Sequence, residues 1–203
     1  MSERTKSVTA VGANDTQATV TGARFRELLG LRSTWFSDVL FSLQPTSKTV
    51  TYGGAVSLTG FAHGADSLSL ESKTPGKDWT PAGELLVDAD GSFATIVKPT
   101  LGTQYRLAWT TVRAGLAKIA VAPKLDAQVS VAGVQGTERP VVAGAPVQLQ
   151  QLSGTVWMTL SSTTADATGA YTFAGMPRPG TYRVRCAPGH GLAPGLSVTL
   201  RVE

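Results

Sequence analysis

The chain has 203 residues, 42% of them hydrophobic, enough for one large domain or two small ones with their own cores. Its 18 basic and 14 acidic residues leave a net charge of +4, spread without any Lys/Arg cluster, which argues against a nucleic-acid reader. No apolar run approaches the roughly 20 residues that cross a bilayer, and Met1-Ser-Glu-Arg-Thr-Lys6 leads into no apolar stretch of the signal-peptide kind.

From the N-terminus, residues 4–11 alternate, and Gln17-Ala-Thr-Val20 can pair back across a turn at Gly12-Ala-Asn-Asp15, a β-hairpin signal. Thr21 can cap a short helix in which Phe25, Leu28 and Leu29 share one face, and Gly30 can close it. So short an amphipathic helix needs a body to pack on.

The residues Val20-Thr-Gly22, Phe25-Arg26, Leu28-Leu-Gly-Leu-Arg-Ser33 and Trp35-Phe36 form a motif. Through them the stretch of about residues 4–41 resembles the C-terminal end of the stage II sporulation protein D / amidase enhancer LytB family. Members of that family act on bacterial peptidoglycan, some cleaving glycan strands and some stimulating amidases. The resemblance implies a cell-wall setting outside the cytoplasm. The family's catalytic acid lies upstream of the motif, in a part of the domain without a counterpart here. Residues 1–43 therefore read as the C-terminal remnant of such a domain, and Met1 as an internal start or the head of a downstream piece.

Leu43-Gln-Pro-Thr-Ser47 reads as a linker. Residues 48–122 then alternate at period two in Thr49–Tyr52, Val56–Leu58, Ser67–Leu70, Leu85–Val87, Phe93–Val97, Tyr105–Trp109 and Lys118–Val121. Turn residues separate these seven short strands, the pattern of an immunoglobulin-like sandwich. Residues 125–203 repeat the unit. Trp79, Gly91, Phe93 and Tyr105-Arg106-Leu107 answer Trp157, Gly169, Tyr171 and Tyr182-Arg183-Val184. Val56–Gly60 is matched with Val129–Gly133, and Leu68–Leu70 with Val147–Leu149. Strands are expected at Trp157–Leu160, Ala170–Phe173, Thr181–Arg185 and Leu196–Val202. The fold class is all-β: two tandem immunoglobulin-like β-sandwiches after a hairpin-plus-helix remnant, joined at Ala122-Pro-Lys124 into a stiff rod.

Chemistry-bearing residues are few. The recurrence of Trp79/Trp157, Phe93/Tyr171 and Tyr105/Tyr182 favours a shared core role over a sugar-stacking groove. Trp109 gives way to Cys186 on the same face, and the lone thiol reads as buried and inert. Arg183 and Arg185 share the wet face of a strand. Asp88-Ala-Asp-Gly91 resembles the start of a calcium loop, but Pro99 occupies the twelfth position where a bidentate Glu is required, so a turn is expected. His63 and His190 lack partners at ligand spacing. Glu27 and Glu71 read as solvated surface. The sequence thus offers no catalytic, cofactor or metal residue and leaves the ligand-binding residues open. It is read as a non-enzymatic monomer of the cell envelope, a spacer, an anchor or a weak binder of peptidoglycan or another wall polymer. The alternatives are a fragment of a glycan-strand lytic enzyme or amidase enhancer with its catalytic part upstream, and an adhesin-like protein-binding module.

Overall fold

Alternation of apolar and polar residues from Leu40 onward builds two β-sandwiches in tandem, preceded by a hairpin and one short helix. The computed structural model describes residues 4–11, 17–30, 40–63, 65, 68–175 and 177–203. Ser7–Val11 (β1) and Gln17–Thr21 (β2) pair antiparallel, with Ser7 opposite Thr21. Thr21 then caps Gly22–Leu28 (α1), its hydroxyl accepting the Arg24 N–H at 3.2 Å. Gly30, at φ +64°, stops the helix by donating to the Glu27 carbonyl. Cap and stop fall where the sequence puts them. The helix touches β1 and β2 and leaves Leu28 and Leu29 exposed. Trp35 and Phe36 lie outside the described residues.

The first sandwich begins ahead of residue 48, with a strand that spans the end of the expected remnant and the start of the expected linker. Leu40–Pro45 (β3) is a strand with Leu43 buried in the core. Pro45 occupies its last position on a sheet edge, where a missing N–H breaks no ladder, so the Gln-Pro-Thr-Ser signal marks a strand end and not a tether. The chain then changes sheet at Thr49–Thr51 (β4). It continues through Val56–His63 (β5), Leu68–Lys73 (β6), Thr80–Leu85 (β7), Ser92–Val97 (β8), Thr103–Trp109 (β9) and Val112–Ala122 (β10). One sheet runs β3-β5-β8 and the other β4-β10-β9-β6-β7. Leu58, Leu68, Leu107 and Ile119 are buried between them. Strand β7 precedes the Leu85–Val87 expected from sequence. It contains Pro81 and Gly83, which an edge strand accommodates.

The second sandwich comprises Lys124–Ser130 (β11), Gly133–Arg139 (β12), Pro146–Ser153 (β13), Val156–Thr164 (β14), Ala170–Ala174 (β15), Gly180–Cys186 (β16), Gly195–Leu196 (β17) and Leu200–Val202 (β18). Its sheets are β11-β12-β15 and β14-β13-β16-β17, with β18 also on β16. The match of Leu68–Leu70 with Val147–Leu149 holds, since Leu70 faces Leu107 as Leu149 faces Val184. The match of Val56–Gly60 with Val129–Gly133 does not. A turn at Val131-Ala132 interrupts that stretch. The true equivalents are Gly60 opposite Phe93 and Gly136 opposite Tyr171, which superposes the fully buried Leu58 on Val134. A turn made of Val and Ala carries none of the usual punctuation, so the sequence hides it. The single strand expected over Leu196–Val202 is two short ones. Between them Ser197 Oγ accepts the Val184 N–H at 2.9 Å.

Pro123 alone, fully buried, separates β10 from β11. The segment after β16 returns to the first unit. There the Ala193 N–H donates to the Val121 carbonyl, and the Gly191 carbonyl accepts the Gly102 N–H, both at 2.8 Å.

Candidate functional site

Strand parity decides what each unit shows to solvent. On β9, Tyr105 and Leu107 point into the core, so Arg106 between them points out; on β16, Tyr182 and Val184 do the same for Arg183. Each arginine lies flat on the repeated tryptophan. Arg106 Cζ is 4.1 Å from the Trp79 ring centroid, and Arg183 Cζ is 4.2 Å from that of Trp157. Both tryptophans are half-buried and belong to neither core. The core role expected for them is therefore corrected: they recur because an outer-face stack recurs. Tryptophan suits this place because its large apolar ring can be covered by a guanidinium while its edge stays wet. The other recurring rings are core, as expected. Phe93, Tyr171, Tyr105 and Tyr182 are all buried. The Tyr182 hydroxyl donates to the Arg178 carbonyl at 2.7 Å, the corner bond typical of such sandwiches. Trp109 packs at the core margin against Phe41, with ring centroids 5.9 Å apart.

The two outer faces differ in charge. Glu71, in the middle of β6, accepts from Arg106 Nε at 2.7 Å and from Arg113 Nε at 2.9 Å. The Arg106 hydrogen bond, aided by Arg113, holds its carboxyl below the ordinary range. Glu71 is thus a paired group and not solvated surface. In the second unit its register equivalent is Gln150, whose amide oxygen accepts from Arg183 Nε at 2.8 Å. Arg185 donates to the Gln148 amide oxygen at 3.3 Å, on the wet face where the sequence puts it.

A cluster that the sequence reading passed over lies inside the second sandwich. Glu138 is fully buried; its carboxylate accepts the Val142 N–H at 3.2 Å and the Cys186 thiol at 2.8 Å. Cys186 is buried as expected. Burial and the adjacent carboxylate push its thiol far above the ordinary range, so it is held protonated, the opposite of a nucleophile's setting. Burial also raises the Tyr171 phenol, whose hydroxyl donates to the Asp126 carbonyl at 2.9 Å. The signal for Glu138 was its parity with Val134 and Gly136 on β12, legible only once Gly136 is matched to Gly60.

The Asp-x-x-Gly segments are turns in both units. The Gly91 N–H donates to the Asp88 carbonyl at 2.8 Å, and the Gly169 N–H to the Asp166 carbonyl at 3.0 Å. Asp166 Oδ1 accepts from the Thr168 hydroxyl and the Thr168 and Ala170 N–H groups, and these bonds lower its carboxyl. Glu27 is exposed and pairs with Arg24 at 3.1 Å. His190 is exposed in a turn at φ +53°, and the His63 backbone ends β5. Among the described residues, no group of three His, Cys, Asp or Glu side chains is placed to hold a metal ion. An open depression of about 420 Å³ on the β3-β5-β8 sheet is lined by Ser42, Gln44, Thr59, Gly60, Phe61, Ser92 and Phe93, none of them titratable.

No family model and no curated protein matches the chain. Among solved structures it is similar to a two-domain fibronectin type III segment of chicken tenascin, at 15% identity over 79% of this chain and 97% of that one, TM-score 0.43. It is also similar to a chain of a cytokine receptor complex, at 17% identity over 75% and 92%, TM-score 0.37. A tetra-tandem repeat from the extending region of a large adhesion protein gives 14% over 97% and 55%, TM-score 0.32.

Proposed function

We propose that this chain is a non-catalytic component of the bacterial cell envelope, outside the cytoplasm. Its two immunoglobulin-like modules space or anchor a peptidoglycan-processing protein of the stage II sporulation protein D / LytB type and bind wall polymer weakly. The observation that carries the reading is the use made of reactive side chains in both units. Cys186 is held protonated against Glu138, Glu71 lies between two arginines, and Asp166 closes a turn. Each such group serves the sandwich itself. The wall setting is supported by the motif over residues 20–36, of which Thr21, Gly22 and Gly30 act as helix cap, close-packed contact and helix stop. Weak polymer binding is supported by flat arginine–tryptophan surfaces on the two outer faces. Co-sedimentation of the chain with purified peptidoglycan tests this half. Partial retention at low salt that fades with added salt is expected; no retention at low salt removes the binding role.

A further inference from the structure

The two units carry the same edge strand at the same place, and only one of them is guarded by proline, a positive-φ glycine and charge. In the first sandwich the edge is β7, Thr80-Pro-Ala-Gly-Glu-Leu85. Pro81 lacks a donor, Gly83 adopts φ +139°, and Glu84 puts a charge on the rim. These are devices that stop a sheet edge from recruiting another strand. In the second sandwich the register-equivalent edge is β14, Val156-Trp-Met-Thr-Leu-Ser-Ser-Thr-Thr164, with none of them. From Pro140 to Ala165 the sequence contains no charged residue. Val156, Met158 and Leu160 are 61%, 55% and 53% exposed. At nine residues it is the longest edge strand among the described residues, and only β13 pairs with it.

We propose that β14 is a pairing edge and that its occupant is the β14 of a second copy of this chain, joined antiparallel about a two-fold axis. A closed two-fold pair needs a surface that matches itself. β14 has no charged residue of its own to repel its copy, the nearest cation being Arg183 over Trp157, and both copies bring donors, acceptors and apolar side chains in equal number. The bulge at Leu149/Gln150 makes Leu160 the extra residue of the strand. An axis between Thr159 and Leu160 then sets Met158 opposite Ser161 and Trp157 opposite Ser162, each pair on one face of the joined sheet. The strand is about 30 Å long. Joining two buries on the order of 1,000 Å² in total, the lower limit of a specific interface, so the pair is weak and concentration-dependent. This inference stands apart from the envelope reading: an uncharged edge gives an association that salt does not weaken.

Sedimentation velocity of the full chain, from about 10 μM to about 1 mM, tests it. The expected result is a rise in average mass that levels off at two copies and is unchanged by added salt. At high concentration, the amides of residues 156–164 that point away from β13 gain protection from hydrogen exchange. The double variant Met158→Lys with Leu160→Lys alters two exposed positions and should shift the midpoint upward at least about tenfold. Ile96→Lys, at a still more exposed position on the edge strand β8, should leave the pair intact. The proposal is overturned by a single-chain mass throughout, by unaltered pairing of the double variant, by loss of pairing in Ile96→Lys, or by mass that climbs past two copies.

Discussion

Replacing Gly136 with alanine should be among the most damaging single-methyl changes in the molecule. Gly136 lies on β12 opposite Tyr171, and a Cβ there would collide with the Asp126 carbonyl of β11 and come within 2.5 Å of the Tyr171 hydroxyl. One obstacle is backbone, which no rotamer change can remove. Relief requires β11 and β12 to part or the ring to leave, and leaving breaks the Tyr171–Asp126 hydrogen bond. Overpacking of this kind costs about 2 kcal/mol, and the lost bond about 1 kcal/mol more. A total of about 3 kcal/mol lowers the melting point of a sandwich this size by roughly 15 °C. Calorimetry and urea titration read the change directly. Gly154→Ala is the control: at φ +61° with no atom within 4 Å of the new methyl, it carries only the backbone cost of about 1 kcal/mol. In a Tyr171→Phe background the Gly136→Ala penalty should shrink by about 1 kcal/mol, because the Tyr171–Asp126 hydrogen bond is already absent, while the ring carbon 2.7 Å from the new methyl remains in the way. A loss below about 0.5 kcal/mol for Gly136→Ala would refute the argument.

Two further outcomes follow from the site. A double-mutant cycle of Trp157→Ala and Arg183→Ala should show coupling of about 1 kcal/mol, matched by Trp79 with Arg106; additive losses in both units would mean the stacks contribute nothing. The second outcome concerns alkaline pH. Because the Cys186 thiol is raised in the folded chain, its contribution is complete below the ordinary thiol range and is lost as pH climbs through and above it. Urea midpoints should therefore fall from about pH 8.5 upward. In Cys186→Val the decline should begin only near the tyrosine range, while stability at neutral pH drops by about 2 kcal/mol because Glu138 loses a donor. An unchanged alkaline slope in that variant would contradict the assignment.

Period-two alternation made most strands legible, and the Asp-x-x-Gly turns and the Thr21 cap could be placed because each has a local residue signature. Three kinds of feature stayed hidden. Pro45 reads as part of a linker, and the strand that holds Pro81 and Gly83 goes unmarked, because strand position in a sheet, edge or centre, is not a local property. The Val131-Ala132 turn has no turn residues, so the repeat was matched three residues out of step, and Glu138 was lost from the inner row with it. Trp79 and Trp157 recur at equal spacing whether they face in or out. What decides is an arginine two strands away across the sheet, and only the register of β6, β7 and β9 brings it overhead.

Strand β4 runs parallel to β10, tied by the Ala120 N–H to the Lys48 carbonyl and the Tyr52 N–H to the Ala122 carbonyl, each 2.8 Å. Once β3 has been peeled from β5, tension along the chain would enter this pair at the start of β4 and leave at the end of β10, which lie at opposite ends of it. Its bonds would then be sheared together and not unzipped one by one. In the second sandwich the first strand, β11, pairs only with β12, and the last, β18, pairs with β16. The two units would therefore yield to pulling at different forces, the second one first.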